Sequence, residues 1–544
     1  GISVRAPQYT SGPGTGCEEL AAASRPANAP GPARPASVCI DSLMAPRAVT
    51  LTLSTALLWI AIVLFAELLL FEVVPLSRAC ERIGPLSQQR SASRRATAPP
   101  LLVMADSHML GARRSWLDRA WVDWQLRRSV EGAVWRHPPA LAIHLGDLVD
   151  EGAWLHRVIA RGGSNSDSAR SVWAATARRF RASSRTPLGS TPLLAAVGNH
   201  DVGEGEQLRE DALARFERSF SSAKAQSLDV FRVGGVMTAQ RRDDGTLGLV
   251  VGRRNVTFVR VNALALAPHA PASVRGAAWE WLATAAATAR RSRNPVVLLT
   301  HLPLYRASDE ECGPLRAVEH DGVAVRWRAS RALGVDVTVP LPSETLRSGV
   351  DVLDQDSTAR LLEFFHPAAV LSGHTHAVCY TEHVHDVDRD RARRAAAGAG
   401  AGAEAEAAAG VGAHAPACVR KMNVATGELS SCPPPTSIMG GPSASASAST
   451  VRVPEFTIPA FGWRMRPDAS YAIMRLFVAS SDEEEGAASV EIELCGLPQE
   501  HSVLLCLLVL IAGTCCAVVV AAAARDASWG RKRPPPLRRG EKRI

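Results

Sequence analysis

The sequence predicts a layered α/β fold that two apolar segments hold at a membrane. Short, almost wholly apolar runs alternate with stretches of helical periodicity, for example Leu101–Ala105, Trp116–Trp135 and Leu141–Leu145. Strands that are apolar throughout are typical of sheets buried on both faces, with helices packed on their outer sides. Two longer apolar segments, residues 49–74 and 503–524, are each long enough to cross a bilayer.

The chain is predicted to carry one large domain between the two membrane segments. Residues 1–48 are rich in Pro, Ala, Gly and Ser without an apolar period, so we expect disorder there. The domain occupies residues 97–495, and its 386–450 segment is predicted to be a low-complexity insert rich in Ala, Gly and Ser. Residues 525–544 form a basic tail. Because the chain begins with Gly1, we also expect its natural N-terminus to lie upstream.

The charges around the membrane segments predict the side on which the domain lies. The 525–544 tail is densely basic, and the positive-inside rule therefore places it in the cytosol. Two crossings then put residues 75–502 in the lumen. Arginines after the first segment favour the opposite orientation, but the tail is denser, and no lysine or arginine lies just before Val503. A glycosylation sequon at Asn255 is compatible with a lumenal domain.

The composition excludes some functional classes. The formal net charge of +8 is modest and spread over many arginines, and no basic patch carries interleaved aromatic residues, so nucleic-acid binding is not indicated. The eleven cysteines are scattered and include no Cys-x-x-Cys pair, which argues against a disulfide scaffold and against a thiolate zinc site. The cysteines therefore leave the redox compartment of the domain open.

Polar side chains follow five of the predicted strands, at the point where each strand ends. In layered α/β folds ligands bind beyond the carboxyl ends of strands, so motifs from different strands can meet at one site. The donors are oxygen and imidazole without thiolate, which suits manganese, iron or zinc. A single His or Asp in such a place is commonly structural, but five such motifs in order are difficult to attribute to chance. They are Asp106-Ser107-His108, Gly146-Asp147, Asn199-His200, His301 and His374-Thr375-His376.

The charges of this set indicate a phosphoryl substrate. Two divalent ions contribute +4, the carboxylates of Asp106 and Asp147 contribute −2 and a hydroxide contributes −1, which leaves about +1. A residual positive charge favours a phosphate oxyanion over a neutral carbonyl compound. Two ions roughly 3.5–4 Å apart can activate a hydroxide and hold the phosphoryl oxygens. His200 directly follows Asn199, so its imidazole can reach the leaving-group oxygen as a general acid.

The ordered motifs resemble those of the calcineurin-like metallophosphoesterase superfamily. The resemblance implies a four-layer αββα sandwich of two mixed sheets, a dinuclear metal centre and a catalytic role for His200. We expect Asp201 to orient His200 and Asp150 to support the loop, although either could be a cap or a surface carboxylate. One implied ligand set comprises Asp106, His108, Asp147 and His376, and the other comprises Asp147, Asn199, His301 and His374.

Longer motifs resemble one membrane-bound subfamily, the ethanolamine-phosphate phosphodiesterases that remodel glycosylphosphatidylinositol (GPI) anchors. These motifs are Ala105–Gly111, His301–Arg306 and Pro459–Arg466. The subfamily has a catalytic domain between two transmembrane helices and uses manganese. The resemblance therefore implies a multi-pass membrane protein of the early secretory pathway, at ER exit sites, the ER–Golgi intermediate compartment or the cis-Golgi, with a lumenal catalytic domain. It also implies the glycan of GPI-anchored proteins as substrate and a link to cargo-transport machinery.

Two other interpretations stay open. The chain could be a phosphatase or phosphodiesterase that acts on another lumenal or lipid substrate. It could also be a sorting factor that binds GPI-anchored proteins without turnover, although a pure binding protein has no need for both ligand sets and His200. For the metal, iron and zinc are alternatives to manganese.

Overall fold

The computed structural model describes most of the predicted domain and the C-terminal apolar segment. Residue contacts divide the chain into two units, Gly1–Trp59 and Ile60–Ile544, and the elements named below belong to the second. The predicted disorder at 1–48 and most of the predicted span at 49–74 lie outside the described residues. The described residues are 59, 60, 62, 80–84, 99–162, 164–220, 227–233, 238–241, 247–250, 254–309, 312, 346–386, 418–422, 450–465, 469–478 and 488–530.

Strands and helices alternate through the first two thirds of the domain, as the sequence predicts. The strands are β1 (Glu81–Ile83), β2 (Leu101–Met104), β3 (Leu141–His144), β4 (Leu193–Ala195), β5 (Ser227–Val233), β6 (Thr238–Arg241), β7 (Leu247–Val250), β8 (Arg254–Val261), β9 (Val296–Thr300), β10 (Ala369–Ser372), β11 (Cys379–Asp386), β12 (Cys418–Met422), β13 (Thr450–Thr457), β14 (Ser470–Val478) and β15 (Ala488–Gly496). The helices are α1 (Trp116–Arg136), α2 (Gly152–Arg161), α3 (Ser164–Phe180), α4 (Asn199–Val202), α5 (Glu210–Ser219), α6 (Ala263–Leu266), α7 (Ala272–Ser292), α8 (Gln355–Phe365) and α9 (Glu500–Gly530).

The described strands form two mixed sheets. The six-stranded sheet has the order β1-β15-β14-β2-β3-β4, and the nine-stranded sheet has the order β12-β11-β13-β10-β9-β8-β5-β7-β6. In the first sheet β2, β3 and β4 are parallel neighbours, whereas β14 and β15 run antiparallel. In the second sheet β8, β9, β10 and β13 are parallel neighbours. Each sheet therefore carries a parallel group whose strands end at a common edge.

The two sheets pack against each other through alternate residues of their strands. Leu101 and Val103 of β2 belong to the same buried cluster as Val297 and Leu371 of the nine-stranded sheet. The intervening residue Leu102 belongs to a second cluster, which also contains buried side chains of α1, α7 and α8. Because successive strand residues point to opposite faces, both faces of the central strands are covered. This double burial explains why the strands are apolar throughout.

The long C-terminal helix α9 leaves the domain and exposes an apolar surface. Its first turn contacts the domain, where Trp121 Nε1 donates to Glu500 Oε1 at 3.0 Å and Val503 is buried. Farther along, Leu505 and Leu508 are each 62% exposed. Exposed apolar side chains are unfavourable in water but not in the interior of a lipid bilayer. Of the residues that the structure describes, one stretch, Ser502–Ala524, is long and apolar enough to cross a membrane. Of the two predicted transmembrane helices, the C-terminal one is therefore a candidate span, and most of the other lies outside the described residues.

Among the described residues, two disulfides connect parts of the chain that are distant in sequence. Cys80 pairs with Cys495 and Cys312 pairs with Cys379, at separations of 415 and 67 residues. The first disulfide joins Cys80, the residue before β1, to Cys495 of β15, the strand that pairs antiparallel with β1. The sequence does not reveal either bond, because the partners are far apart along the chain and meet only in the folded domain.

The predicted 386–450 insert is bounded by strands of the nine-stranded sheet. Strand β11 pairs antiparallel with β13 from Cys379↔Thr457 to Asp386↔Thr450. Strand β12, Cys418–Met422, lies inside the 386–450 range and pairs antiparallel with β11. A short part of this range therefore belongs to the sheet, while residues 387–417 and 423–449 are outside the described residues.

Candidate metal centre

The predicted site residues lie at the carboxyl ends of parallel strands from both sheets. Asp106 and His108 follow β2, Asp147 follows β3, and Asn199 and His200 begin α4 after β4. In the nine-stranded sheet His301 follows β9, and His374 and His376 follow β10. Neighbouring parallel strands end at the same edge, so each sheet presents its polar loops in one place.

The structure brings these residues into two groups that share one carboxylate. Potential ligand atoms of the first group, Asp106, His108, Asp147 and His376, lie within 4.8 Å of one another, and so do those of the second, Asp147, His301 and His374. Asn199 joins the second group, because its Oδ1 atom lies 3.0 Å from His301 Nε2. The groups coincide with the ligand sets that the resemblance implied, and the role of these side chains as ligands stays a prediction.

The carboxylate of Asp147 lies between the two groups. Its Oδ2 atom is 3.4 Å from His108 Nε2 in the first group and 3.4 Å from His301 Nε2 in the second. This oxygen is buried and accepts no hydrogen bond, whereas Oδ1 accepts one from the His200 backbone N–H at 2.8 Å. A buried acceptor without a donor is costly unless a cation binds it. The residues therefore fit a pair of metal ions that share Asp147.

The ligand loops adopt a backbone conformation that is unfavourable for their residues. Seven described non-glycine residues have a positive φ, and five of them are predicted ligands. Such left-handed conformations cost of order 1–3 kcal/mol each and tend to occur at functional sites. The five, with φ between 44° and 68°, are Asp106, His108, Asp147, His374 and His376. The surrounding fold must therefore hold these loops in place.

Two glycines allow the loops to approach closely. A Cβ atom on Gly198 would lie 2.1 Å from Asp147 Oδ1, and one on Gly146 would lie 2.6 Å from His301 Nδ1. Gly146 also has a φ of +103°. Any other residue at either position would displace a predicted ligand of the centre.

The electrostatics of the centre favour a bound cation. Burial lowers the pKa of His301, but the charges of Asp147 and Asp106 overcome it and raise the pKa to about 9. The carboxylates thus stabilise positive charge where the two groups meet. Burial also lowers the pKa of His108, to about 4, which keeps this imidazole neutral near pH 7. Neutral imidazole is the form of histidine that binds metals.

His200 lies at the rim of the centre and is oriented by Asp150. Its Nδ1 atom is 3.1 Å from the Asp150 carbonyl oxygen and 3.4 Å from the carboxylate, while its side chain stays 38% exposed. Burial lowers the pKa of His200, but the charge of Asp147 and the hydrogen bonds with Asp150 raise it to about 10. With Nδ1 engaged by Asp150, Nε2 is the nitrogen left to donate a proton. His200 is thus equipped as an acid, and its catalytic role stays a prediction.

The structure exchanges the expected roles of two neighbouring carboxylates. We expected Asp201 to orient His200, but its oxygens accept from the backbone N–H groups of Gly198 and Val149, at 2.9 and 3.0 Å. Asp201 is fully buried and holds together the loops after β3 and β4. The carboxylate beside the His200 imidazole is that of Asp150, for which the sequence predicted only support of the loop. The sequence could not separate the two because each lies within three positions of a predicted site residue, Asp150 after Asp147 and Asp201 after His200.

A buried carboxylate beneath the histidine loops was not predicted from the sequence. Glu455 of β13 accepts from Leu304 N–H at 2.9 Å and from Ser372 Oγ at 2.8 Å, and so joins the loop after β9 to the end of β10. Its other oxygen is 2.9 Å from His383 Nε2. The available signal was a single acidic residue between Pro454 and Phe456 in the stretch that forms β13, since charges are rarely buried without partners.

A groove opens from the centre on the side of His200. It encloses about 430 Å³, which lies in the range of small-molecule binding sites. We call it the His200 groove, and the sequence analysis did not predict it. Its lining contains one tryptophan among mostly charged and polar residues, namely Arg113, Arg114, Asp150, Glu151, Ala153, Trp154, Arg157, Asn199, His200, Gly203, Glu204 and Gln207.

Comparison with known proteins finds relatives that share much of the domain. The chain is similar to proteins named Metallophosphoesterase 1, with 30% identity over 303 residues for Danio rerio and 28% over 317 residues for Xenopus laevis. The matches cover 52% and 54% of this chain and 64% and 65% of those relatives. The chain therefore matches slightly less than two thirds of their length.

Two solved structures are similar at a low level. One is a dimetal phosphatase from Danio rerio, with 11% identity, a TM-score of 0.31, and coverage of 70% of this chain and 93% of that chain. The other is GAP50, the anchor in the inner membrane complex of Plasmodium, with 10% identity, a TM-score of 0.27, and coverage of 52% and 68%. Neither likeness is strong enough to support a statement about this chain.

The family is assigned by the domain sequence. The sequence model of the calcineurin-like phosphoesterase family matches residues 99–378, which is more than half of the chain. The matched range contains the predicted ligands from Asp106 to His376 and the strands that position them. The two mixed sheets and the paired ligand groups are consistent with a metal-dependent phosphoester hydrolase. The chain belongs to the calcineurin-like phosphoesterase family.

Proposed function

We propose that this chain is a metal-dependent phosphodiesterase that removes an ethanolamine-phosphate side branch from the glycan of GPI anchors. The observation that carries the hydrolase part is the carboxylate of Asp147, which lies between two imidazole-containing groups and has one buried oxygen that accepts no hydrogen bond. Similarity to proteins named Metallophosphoesterase 1 and the motifs of the GPI-remodelling subfamily support the substrate. We propose manganese as the metal on the same grounds.

The residues of the centre divide the chemistry between them. Two bound divalent ions would supply a hydroxide nucleophile at neutral pH and offset charge on the phosphoryl oxygens. Asp106, His108 and His376 would hold one ion, Asn199, His301 and His374 the other, and Asp147 both. His200 would donate a proton from Nε2 to the leaving oxygen, while Asp150 holds Nδ1.

We propose that the protein is embedded in membranes of the early secretory pathway, with its catalytic domain in the lumen. The apolar stretch Ser502–Ala524 supports a membrane anchor. The disulfides Cys80–Cys495 and Cys312–Cys379 support the lumen, because the cytosol keeps most thiols reduced. The basic residues after Ala524 support a cytosolic tail. Residues 49–74 would form the second span.

The proposed partners follow from the substrate. A membrane-anchored enzyme meets substrates of the same leaflet at a high effective concentration, and GPI-anchored proteins are such substrates. Removal of the branch would then allow these proteins to be recognised by cargo-transport machinery. The same chemistry would also permit another lipid-linked phosphodiester.

The decisive experiment is mass spectrometry of GPI glycans from cells with and without this protein. Cells that lack it should retain the ethanolamine-phosphate branch and export GPI-anchored proteins slowly, and wild-type protein should reverse both effects. If the glycans were unchanged, the GPI substrate would be wrong, and the protein would be a hydrolase of another substrate. If the His200→Ala variant restored export while the branch remained, a sorting factor without turnover would be the better description.

Protease treatment of sealed microsomes tests the proposed orientation. A lumenal domain should be protected until detergent is added, whereas an epitope at the C-terminal tail should be removed at once. Cleavage throughout the domain in intact vesicles would place it in the cytosol and would rule out a GPI substrate. The same vesicles, alkylated before and after reduction, should show Cys80 and Cys495 protected only before reduction.

A further inference from the structure

We infer that the His200 groove binds a sugar, and that this sugar is the leaving group of the reaction. This inference rests on the proposed function and adds to it the site that recognises the glycan. The groove is continuous with the metal centre, since Asn199 and His200 line both. A leaving group must lie next to the acid that protonates it, so a group bound in the groove lies on the leaving-group side.

The lining of the groove suits an uncharged ligand rich in hydroxyl groups. Apart from His200, which the reaction uses, its charged side chains are three arginines and three carboxylates, whose formal charges cancel, so they do not favour a nucleotide or a second phosphate. Arg157 and Glu204 carry opposite charges and are exposed, so the first offers hydrogen-bond donors and the second offers acceptors. Mixed donors and acceptors are what sugar hydroxyls require.

Trp154 supplies an apolar surface in the middle of these polar groups. Its indole is half-buried on α2, and the Arg113 guanidinium carbon lies 5.3 Å from the ring centroid. Contact with the arginine restrains the Trp154 ring, so the ring loses less conformational entropy when a ligand binds. An aromatic ring flanked by hydrogen-bonding groups binds the C–H face of a hexose while its hydroxyls are satisfied at the rim.

This placement defines which bond breaks. The water-derived hydroxide forms a bond to phosphorus, and the bond between phosphorus and the sugar oxygen breaks. The sugar oxygen keeps the electron pair of the broken bond and accepts a proton from His200. The proton that the water loses in forming the hydroxide then returns His200 to its protonated state. The products are the free sugar hydroxyl in the groove and ethanolamine phosphate at the metal centre.

The test compares two phosphodiesters that share ethanolamine phosphate and differ in the leaving group. One is the 6-(2-aminoethyl phosphate) of methyl α-mannoside, and the other is 4-nitrophenyl 2-aminoethyl phosphate. The measured quantity is the ratio of kcat/KM for the mannoside to kcat/KM for the aryl ester, with full-length, manganese-loaded protein. Trp154→Ala should lower this ratio about tenfold, which corresponds to about 1.4 kcal/mol of sugar binding in the transition state.

Matched variants separate sugar binding from a folding defect. Trp154→Phe should retain most of the ratio, and Trp135→Ala, a change at a 61% exposed tryptophan of α1, should leave it unchanged. If Trp154→Ala does not fold, Arg157→Ala at the exposed rim should lower the ratio about threefold, the loss expected for one hydrogen bond. An unchanged ratio in the folded variants overturns the sugar subsite. Wild-type protein that hydrolyses neither ester overturns the proposed function instead, and the subsite with it.

Discussion

The two sheets contribute different chemistry to the same centre. Loops of the six-stranded sheet supply both carboxylates, the amide of Asn199, the imidazole of His200 and the lining of the His200 groove. Loops of the nine-stranded sheet supply imidazoles alone, from His301, His374 and His376. The first half therefore carries the carboxylates of the centre and the lining of the groove, whereas the second half contributes imidazole donors that would complete the coordination of the proposed ions.

The halves also differ in how their loops are held. In the six-stranded half Asp201 binds backbone N–H groups of two site loops directly. In the nine-stranded half this role belongs to Glu455, which is buried in the sheet and surrounded by other polar side chains. A substitution in the six-stranded half should therefore affect the reaction directly. A substitution in the nine-stranded half should act indirectly, by changing the positions of the predicted ligands.

The largest effect is expected from Asp147→Ala, since this carboxylate contacts both groups. The variant should lose both ions and all measurable phosphodiesterase activity, because neither group retains enough charge to hold a cation. Metal content by mass spectrometry and turnover of an aryl phosphodiester measure the two effects. Asp167→Ala, at an 87% exposed carboxylate of α3, is the control. Two ions bound per chain in Asp147→Ala would rule out the shared carboxylate.

His200→Ala should separate catalysis from metal binding within the same half. Both ions should remain, while kcat falls by roughly 10²–10⁴-fold, the usual contribution of general acid catalysis. The loss should be smaller for 4-nitrophenyl esters, whose leaving group needs no proton. His269→Ala, at an exposed histidine, provides the control. Loss of an ion in His200→Ala would make this residue a ligand.

Glu455→Gln tests whether the second half acts through geometry. Metal affinity should fall about 10–100-fold, as for other groups that orient ligands, with kcat near wild type at saturating manganese. A titration of activity with manganese measures this, and Glu280→Gln on the surface of α7 is the control. An equal fall in kcat at saturating metal would place Glu455 among the groups that act on the reaction.

The same variant should show a defined pH dependence of stability. Burial raises the pKa of Glu455, but the hydrogen bond with His383 and the charge of Arg306 hold it below its ordinary value. A carboxyl with a lowered pKa in the folded state stabilises the fold above its unfolded pKa, about 4.3, and loses this effect as the pH falls. The difference in thermal midpoint between wild type and Glu455→Gln should therefore be largest at neutral pH. A difference that grew toward pH 3 would contradict an ionised Glu455.

The smallest effect is expected from deletion of residues 394–415. Nine residues, 387–393 and 416–417, would still connect β11 to its antiparallel neighbour β12, and shortening a long loop changes its closure entropy little. Activity and thermal midpoint should match those of the full chain within about twofold and a few degrees. Loss of expression on deletion would mean that this segment packs against the nine-stranded half.

The sequence by itself determined the layered fold and the groups that meet at the centre. Apolar strands buried on both faces leave a clear pattern, and a ligand directly after such a strand can be located from order alone. Hence the sequence order alone was enough to predict that Asp106, His301 and His376 lie at one edge of the fold, where the structure brings them together, and their role as ligands stays a prediction. The first membrane span, the low-complexity insert, the metal and the GPI substrate stay predictions.

Only the tertiary structure decided which polar residues serve the centre indirectly. The roles of Asp150 and Asp201 depend on the direction of each side chain, which adjacent positions in sequence do not reveal. The Glu455 contacts and the disulfides join segments tens to hundreds of residues apart. The His200 groove arises where three loops meet, so its residues share no local pattern. Periodicity and order record burial and strand ends, whereas orientation and long-range contact exist only in the folded chain.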